Sequence, residues 1–243
     1  MLRSTTIMGR NATEVSDAAM LIYPAMQSAD IFALGVNIAH AGTDQRNVHV
    51  VARDSAKELG EQKPVAIHHH LLLGLSSVNQ EMEAVLKATE DKKHKDTREL
   101  LVESLKMSKS KPNSAVFIHD EPDEIKRKVN NAFCPEGEVE FNPILDWVKH
   151  LVFYNGVNLS HPRGDLASHG RIDVKRSTEH GGDVTYSSYE DLEKDYADKK
   201  LHPMDLKTAV ADWLIAKLEP ARKYFEDPKR KSALEEIEKL TSV

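Results

Sequence analysis

The stretch SLKMSKSKP, residues 104–112, sets Lys106 and Lys109 beside Ser108 and Ser110, directly after the leucine-rich run TRELLVESL. Lysines are compact point charges and serine hydroxyls are neutral donors, so a mobile loop built this way can grip a polyphosphate. The same residues also suit a solvated turn. A second group lies in VSDAAMLIYPAMQSADIFAL, where Tyr23, Gln27 and Asp30 fall at spacings of four and three and share one side of a helix. Gln45 and Arg46 open a third segment, at the kind of strand-to-helix turn where parallel sheets hold ligands. Gln27 and Gln45 can accept hydrogen bonds from an amine, and Asp30 can take a hydroxyl proton, which suits an amino acid carrying a phenol. A polar stripe on an apolar helix is equally what a solvent face looks like, so the reading requires the two stripes to face one pocket.

Other chemistries find little support. His68, His69 and His70 run along a predicted strand, where only His68 and His70 share a side, and no carboxylate or cysteine is placed to complete a metal site. Cys134 is the only cysteine, which excludes an internal disulfide and a zinc site built from several thiolates; it reads as a small buried residue. There is no Walker loop, Gly-x-Gly-x-x-Gly, His-Glu-x-x-His or Gly-x-Ser-x-Gly.

The 243 residues suffice for one large domain or two small ones, and 40% hydrophobic with 30% charged residues is ordinary for a globular protein. Mean hydropathy is -0.50, and no apolar run nears the roughly 20 residues that cross a bilayer. No membrane partner and a cytoplasmic location are expected, since the first residues lack a secretory leader's apolar centre. A net charge of -6 argues against coating nucleic acid by bulk attraction, so any RNA contact rests on local clusters. Candidates are Lys92, Lys93 and Lys95, the Lys/Ser loop, Lys126 to Lys128, and Lys229 to Lys231.

The elements that would position these groups follow from periodicity. A helix is expected over 15–34, bent at Pro24, then a short strand near GVNIA. Residues 43–60 read as a helix with Thr43 as N-cap, a stripe of Val48, Val51 and Ala52, and Gly60 as its stop. KPVAIHHHLLLG reads as a buried strand, and a helix between two strands implies a crossover and a parallel sheet. Residues 76–105 read as an exposed, partly helical insertion. A short strand, AVFIHD, precedes helices at about 121–133, about 142–153 and 203–226. In the last, Leu206, Val210, Trp213, Leu214 and Leu218 form a core face with Lys217 snorkelling at its edge. PKRKSALEEIEKL adds an amphipathic helix. The expected class is α/β: a parallel sheet with flanking helices, followed by a region where helices dominate.

With these pieces assembled, the chain resembles the class I aminoacyl-tRNA synthetases, whose signature loop is Lys-Met-Ser-Lys-Ser, here Lys106 to Ser110. It looks most like the tyrosyl-tRNA synthetases of the archaeal and eukaryotic type, through YPAMQSADI, AGTDQRNVHVVAR, NNAFCPEGEVEFNPIL and LHPMDLKTAVADWLIAKLEPARK. The resemblance implies a tyrosine-tRNA ligase that activates tyrosine with ATP and transfers it to tRNA(Tyr). It implies a catalytic part over 1–118, built as a partial Rossmann-like parallel sheet with flanking helices, with the insertion at about 76–105 and the loop at 106–110, and an α-helical anticodon-binding domain over 119–243. Tyr23, Gln27 and Gln45 match residues that hold the amino and carboxylate ends of tyrosine, and Asp30 the acid that receives the phenol. Lys106, Ser108, Lys109 and Ser110 match the catalytic loop, Lys106, Met107 and Lys109 contacting ATP. Asp205 matches the reader of the first anticodon base, and His180 stands where relatives carry a stacking aromatic. ATP with Mg2+ is implied as a substrate complex, with no tightly bound cofactor.

One departure from the family pattern is plain. Its members carry a His-x-Gly-His motif and a pocket-completing tyrosine in the first half of the Rossmann domain, and the 243 residues contain no such motif. The expectation is a truncated product or one piece of a split enzyme, partnered by a homodimer mate or a complementing N-terminal half. The alternative is a catalytically inactive paralogue that binds RNA or a protein partner. The Lys106 to Ser110 loop and the tyrosine contacts speak against it, since a binder has no need of them.

Overall fold

The computed structural model describes residues 18–75, 107, 111–154 and 170–241. The insertion at 76–105 and the cluster Lys92, Lys93 and Lys95 lie outside the described residues. The described residues up to Leu71 form one compact unit and those from Leu72 onward a second.

The first unit begins with α1 (Ala18–Ala33), which carries Pro24 inside it. Gly35, at φ +64, ends the helix: its N–H donates to Phe32 O and that of Val36 to Ile31 O, both at 2.9 Å. This is the glycine-terminated cap that satisfies the last carbonyls and turns the chain. The strands β1 (Ile38–Gly42) and β2 (Val65–His69) pair in parallel, Ile38 opposite Val65 through Gly42 opposite His69. Between them runs α2 (Arg46–Ser55), so the expected crossover is present. Ile31, Ala39 and Ala52 form the small core, with Phe32 and Val36 against it. The opposite sheet face leaves Ile38, Val65 and Ile67 half or more exposed.

Thr43 does not cap α2. Residues Thr43–Gln45 form a 3-10 turn and Gln45 is the N-cap, without a side-chain cap bond, because its side chain is engaged elsewhere. The helix stops at Ser55, and Gly60 at φ +72 closes the turns that follow. β2 stops at His69, short of the expected run.

In the second unit Leu73 N donates to Asp146 Oδ2 at 2.9 Å, Trp147 Nε1 to Leu73 O at 2.7 Å, and Leu75 N to Ser114 O at 2.9 Å. Its helices are α3 (Pro122–Asn130), α4 (Pro143–Trp147) continued by a π-helical turn Val148–Val152, α5 (Tyr189–Ala197), α6 (Pro203–Phe225) and α7 (Pro228–Thr241). Proline in the first turns of α3, α4 and α6 sacrifices no bond, since those amides have no intrahelical partner. Asn142 Oδ1 accepts from Ile144 N and Leu145 N at 3.1 and 3.2 Å, capping α4. Ile125, Val129, Ile144, Leu192, Leu206 and Val210 are almost wholly buried in one core. Lys217 Nζ lies 5.9 Å from the Trp213 ring centre, as snorkelling requires.

Residues 115–120 form no strand. Asp120 Oδ2 accepts from Phe117 N at 2.8 Å and Asp120 N donates to Phe117 O at 3.0 Å, so the segment folds into a turn. Sequence periodicity also missed an antiparallel pair, β3 (Ile172–Val174) with β4 (Val184–Tyr186), because three-residue strands carry almost no pattern. Among the described residues no helix is long and apolar enough to cross a membrane.

Candidate functional site

Buried Ser28 sets the register between α1 and α2. Its Oγ lies 2.9 Å from Pro24 O, a carbonyl four residues back in α1, and 3.3 Å from Val48 O in α2. A hydroxyl turned onto the preceding helical turn is a common partner for backbone near a proline. With Ser28 pinned, Gln27 faces the turn after β1, and its Nε2 donates to Gln45 Oε1 at 2.6 Å. At Gly42, the last residue of β1, a Cβ would lie 2.6 Å from Asp44 Oδ1 and from Leu71 Cδ2, so a larger residue would require those side chains to shift.

Two of the four residues expected around an amino acid, Gln27 and Gln45, therefore touch, at the carboxyl end of a parallel strand. Tyr23 and Asp30 occupy the predicted spacing on α1 and are exposed, and neither side chain has a hydrogen bond or ion pair among the described residues. Lys106, Ser108, Lys109 and Ser110 lie outside the described residues. Met107 is described: it packs against the second unit's core and its N–H donates to Leu72 O at 3.0 Å.

Four histidines of the first unit form two pairs. His49 Nδ1 lies 2.9 Å from His68 Nε2, and His69 Nδ1 lies 3.2 Å from His40 Nε2. Burial, and then the like charge of His68, hold His49 below the ordinary imidazole range.

In the second unit a cleft of about 500 Å3 is lined by Glu136, Arg176, Lys199, Lys200, His202 and Asp205. His202 is the N-cap of α6, accepting at Nδ1 from Met204 N at 3.2 Å, and this places Asp205 in the first helical turn. His180 ends the 3-10 turn Thr178–His180, and its side chain lies outside the described part. Sequence reasoning singled out Asp205 and not its cleft neighbours Arg176, Lys199 and Lys200, since a cation gives no sign in sequence of which cleft it borders. Cys134 is buried beneath the same region's backbone, its Sγ 3.1 Å from Tyr196 Oη, and burial pushes the thiol up.

Parallel strands joined by a helix, with polar groups gathered at the strand-to-helix turn, define a Rossmann-like class of fold. The chain belongs to the tRNA synthetases class I (W and Y), a family that matches residues 1–219. The tyrosine–tRNA ligase of Pyrococcus furiosus is 51% identical over 235 residues, 93% of this chain and 57% of that protein. That of Thermococcus sibiricus is 48% identical over the same shares. The chain thus spans 57% of the length of these curated relatives. Among solved structures, the Pyrococcus horikoshii tyrosyl-tRNA synthetase complexed with L-tyrosine superposes with a TM-score of 0.75 at 48% identity, covering 96% of this chain and 59% of that one. The Aeropyrum pernix enzyme gives 0.69 at 37% identity, covering 98% and 58%.

Proposed function

We propose that the chain is the part of a tyrosine-tRNA ligase that supplies one wall of the tyrosine pocket, the ATP-closing loop and the anticodon reader. The observation that carries this reading is the Gln27–Gln45 contact at the end of β1. It supports a single pocket formed by α1 and the turn into α2, and the curated relatives named above are tyrosine–tRNA ligases. Tyr23, Gln27 and Gln45 hold the amino and carboxylate ends of tyrosine, and Asp30 takes the phenolic hydrogen bond. A site built to bond a hydroxyl rejects the analogue lacking it, an expectation carried over from tyrosyl enzymes generally.

The tyrosine carboxylate attacks the α-phosphorus of ATP, the bond to the bridging oxygen breaks, and pyrophosphate leaves with the electron pair. Lys106 and Lys109 neutralise the departing charge and Ser108 and Ser110 donate to phosphate oxygens, while Met107, packed against the core and bonded through its N–H to Leu72 O, anchors the loop that meets ATP. Such catalysis is positioning plus electrostatic stabilisation, with no covalent enzyme intermediate. ATP enters as its Mg2+ complex, and tRNA(Tyr) then accepts the tyrosyl group. Residues 1–118 carry the catalytic part and 119–243 the anticodon part, where Asp205 reads the first base and His180 stacks. A cytoplasmic location, and either a homodimer mate or a complementing N-terminal half, follow from the same reading.

The test joins this chain to the part of the Pyrococcus furiosus relative that it does not match and follows amino-acid-dependent exchange of pyrophosphate into ATP. Exchange with tyrosine and none with tryptophan is expected. Exchange driven by tryptophan overturns the reading.

A further inference from the structure

The cleft that holds Asp205 is bordered by Arg176, Lys199 and Lys200, and two of these side chains already have hydrogen-bond or ion-pair partners. The Arg176 guanidinium donates from Nε to Gly182 O at 2.9 Å and from Nη1 to Lys200 O at 3.0 Å. Lys200 Nζ lies 3.0 Å from Asp198 Oδ2 and 3.5 Å from Asp195 Oδ1. Lys199 is different. It is exposed, and among the described residues its ammonium has no hydrogen-bond or ion-pair partner. The carboxylates of Glu136 and Asp205 on the same cleft are likewise unpartnered among the described residues.

Local backbone explains how Lys199 comes to stand there. After α5 its N–H donates to Tyr196 O at 3.0 Å and that of Lys200 to Asp195 O at 2.8 Å, with Lys199 at φ +60. That is the helix-ending position glycine normally fills, because a β-carbon is strained there. The Lys199 stem then lies along the backbone of Gly137: a Cβ at Gly137 would meet Lys199 Cε at 3.0 Å and Cγ at 3.2 Å. The chain therefore keeps a lysine, its stem supported, at a place where glycine would fold more easily.

We propose that Lys199 is the phosphate anchor of this cleft and that Asp205 beside it reads a base edge. The proposal rests on the reading of the cleft as the anticodon site. A carboxylate accepts from a base amino or imino group and repels phosphate, so a cleft with two free carboxylates holds a nucleotide chain only if an uncommitted cation faces the backbone. Among the described residues Lys199 is the one cation of this cleft whose side chain has no hydrogen-bond or ion-pair partner, so it can turn to a phosphate without breaking a contact. Its contribution is to affinity and salt dependence, and Asp205 supplies the discrimination.

The experiment measures binding of the full 243-residue chain to a tRNA(Tyr) transcript, and to the transcript with its first anticodon base changed, across a salt series. The variants are Lys199→Gly, Lys199→Arg and Asp205→Ala. Lys199→Gly is expected to weaken both transcripts equally, by about tenfold at low salt, and to reduce the slope of log Kd against log salt by about 0.7 to 1. Its melting temperature should be unchanged or higher, since glycine suits φ +60. Lys199→Arg should keep the wild-type slope, and Asp205→Ala should lose discrimination with the slope intact. An unchanged slope in Lys199→Gly, with the wild-type chain still discriminating, overturns the anchor alone, as does a selective loss for one transcript. If the wild-type chain and Asp205→Ala both ignore the anticodon base, the underlying reading of the cleft falls and the anchor with it.

Discussion

Gln27 Nε2 and Gln45 Oε1 meet at 2.6 Å, joining the middle of α1 to the turn that opens α2. Their bond uses one donor of Gln27 and one lone pair of Gln45, and the remaining amide groups of both stay available to a ligand. In the completed enzyme, Gln45→Ala should raise the tyrosine KM about tenfold and Asp30→Ala up to about a hundredfold, the range for losing hydrogen bonds to neutral and charged groups. Pyrophosphate exchange against tyrosine concentration checks both, and an unchanged requirement in Asp30→Ala removes that residue from the pocket.

The 243 residues by themselves should not support tyrosine-dependent exchange, because they contain no His-x-Gly-His to hold ATP. Adding the corresponding half of a relative should restore it. Robust exchange by the pure chain alone would show that the loop and the glutamine pair suffice.

Burial of His49, and then its contact with His68, make the first unit sensitive to acid. His49 is held below its ordinary value of about 6.5, so the unfolded chain binds its proton more readily than the folded one. Stability from this group is complete above about pH 6.5 and is lost as pH falls through the lower folded value. Thermal melting between pH 7.5 and 5 should show that loss, and His49→Gln should flatten it. Equal acid slopes in both proteins would clear His49 of the effect.

Lys128 Nζ donates to Asp120 Oδ2 at 2.7 Å, and both side chains are buried. Removing one partner strands the other charge in the interior, so Lys128→Ala should destabilise the chain by about 3 to 5 kcal/mol. Replacing the pair by Asp120→Leu with Lys128→Met should cost much less. Urea unfolding of the three proteins decides it, and a double variant no better than Lys128→Ala would count against a charge effect.

Cys134 packs against Tyr196 and Asn142, and burial raises its thiol pKa. The native chain should therefore be alkylated at least about a hundredfold more slowly than the urea-unfolded chain at pH 8. Comparable rates would place the thiol at the surface.

Helical periodicity was enough to locate α1, α3, α6 and α7 to within a few residues, because a buried stripe repeats every three or four positions whatever it packs against. The parallel pairing of β1 and β2 was legible too, since a helix between two strands leaves few other connections. The spacing of Tyr23, Gln27 and Asp30 put them on one side of α1 before any coordinates. Other features depend on partners distant in sequence. AVFIHD has the composition of a strand, but Asp120 binds Lys128 and its own turn, and among the described residues no neighbouring strand pairs with that backbone. Thr43 looks like a helix cap, yet the turn runs on until Gln45 can reach Gln27, eighteen positions earlier in the chain. Local sequence determined which residues share a face, because that is a matter of backbone period alone. The tertiary structure decided which faces meet and which cations remain free, because hydrogen bonds and ion pairs at Gln45, Arg176 and Lys200 are settled by distances between segments that periodicity does not encode.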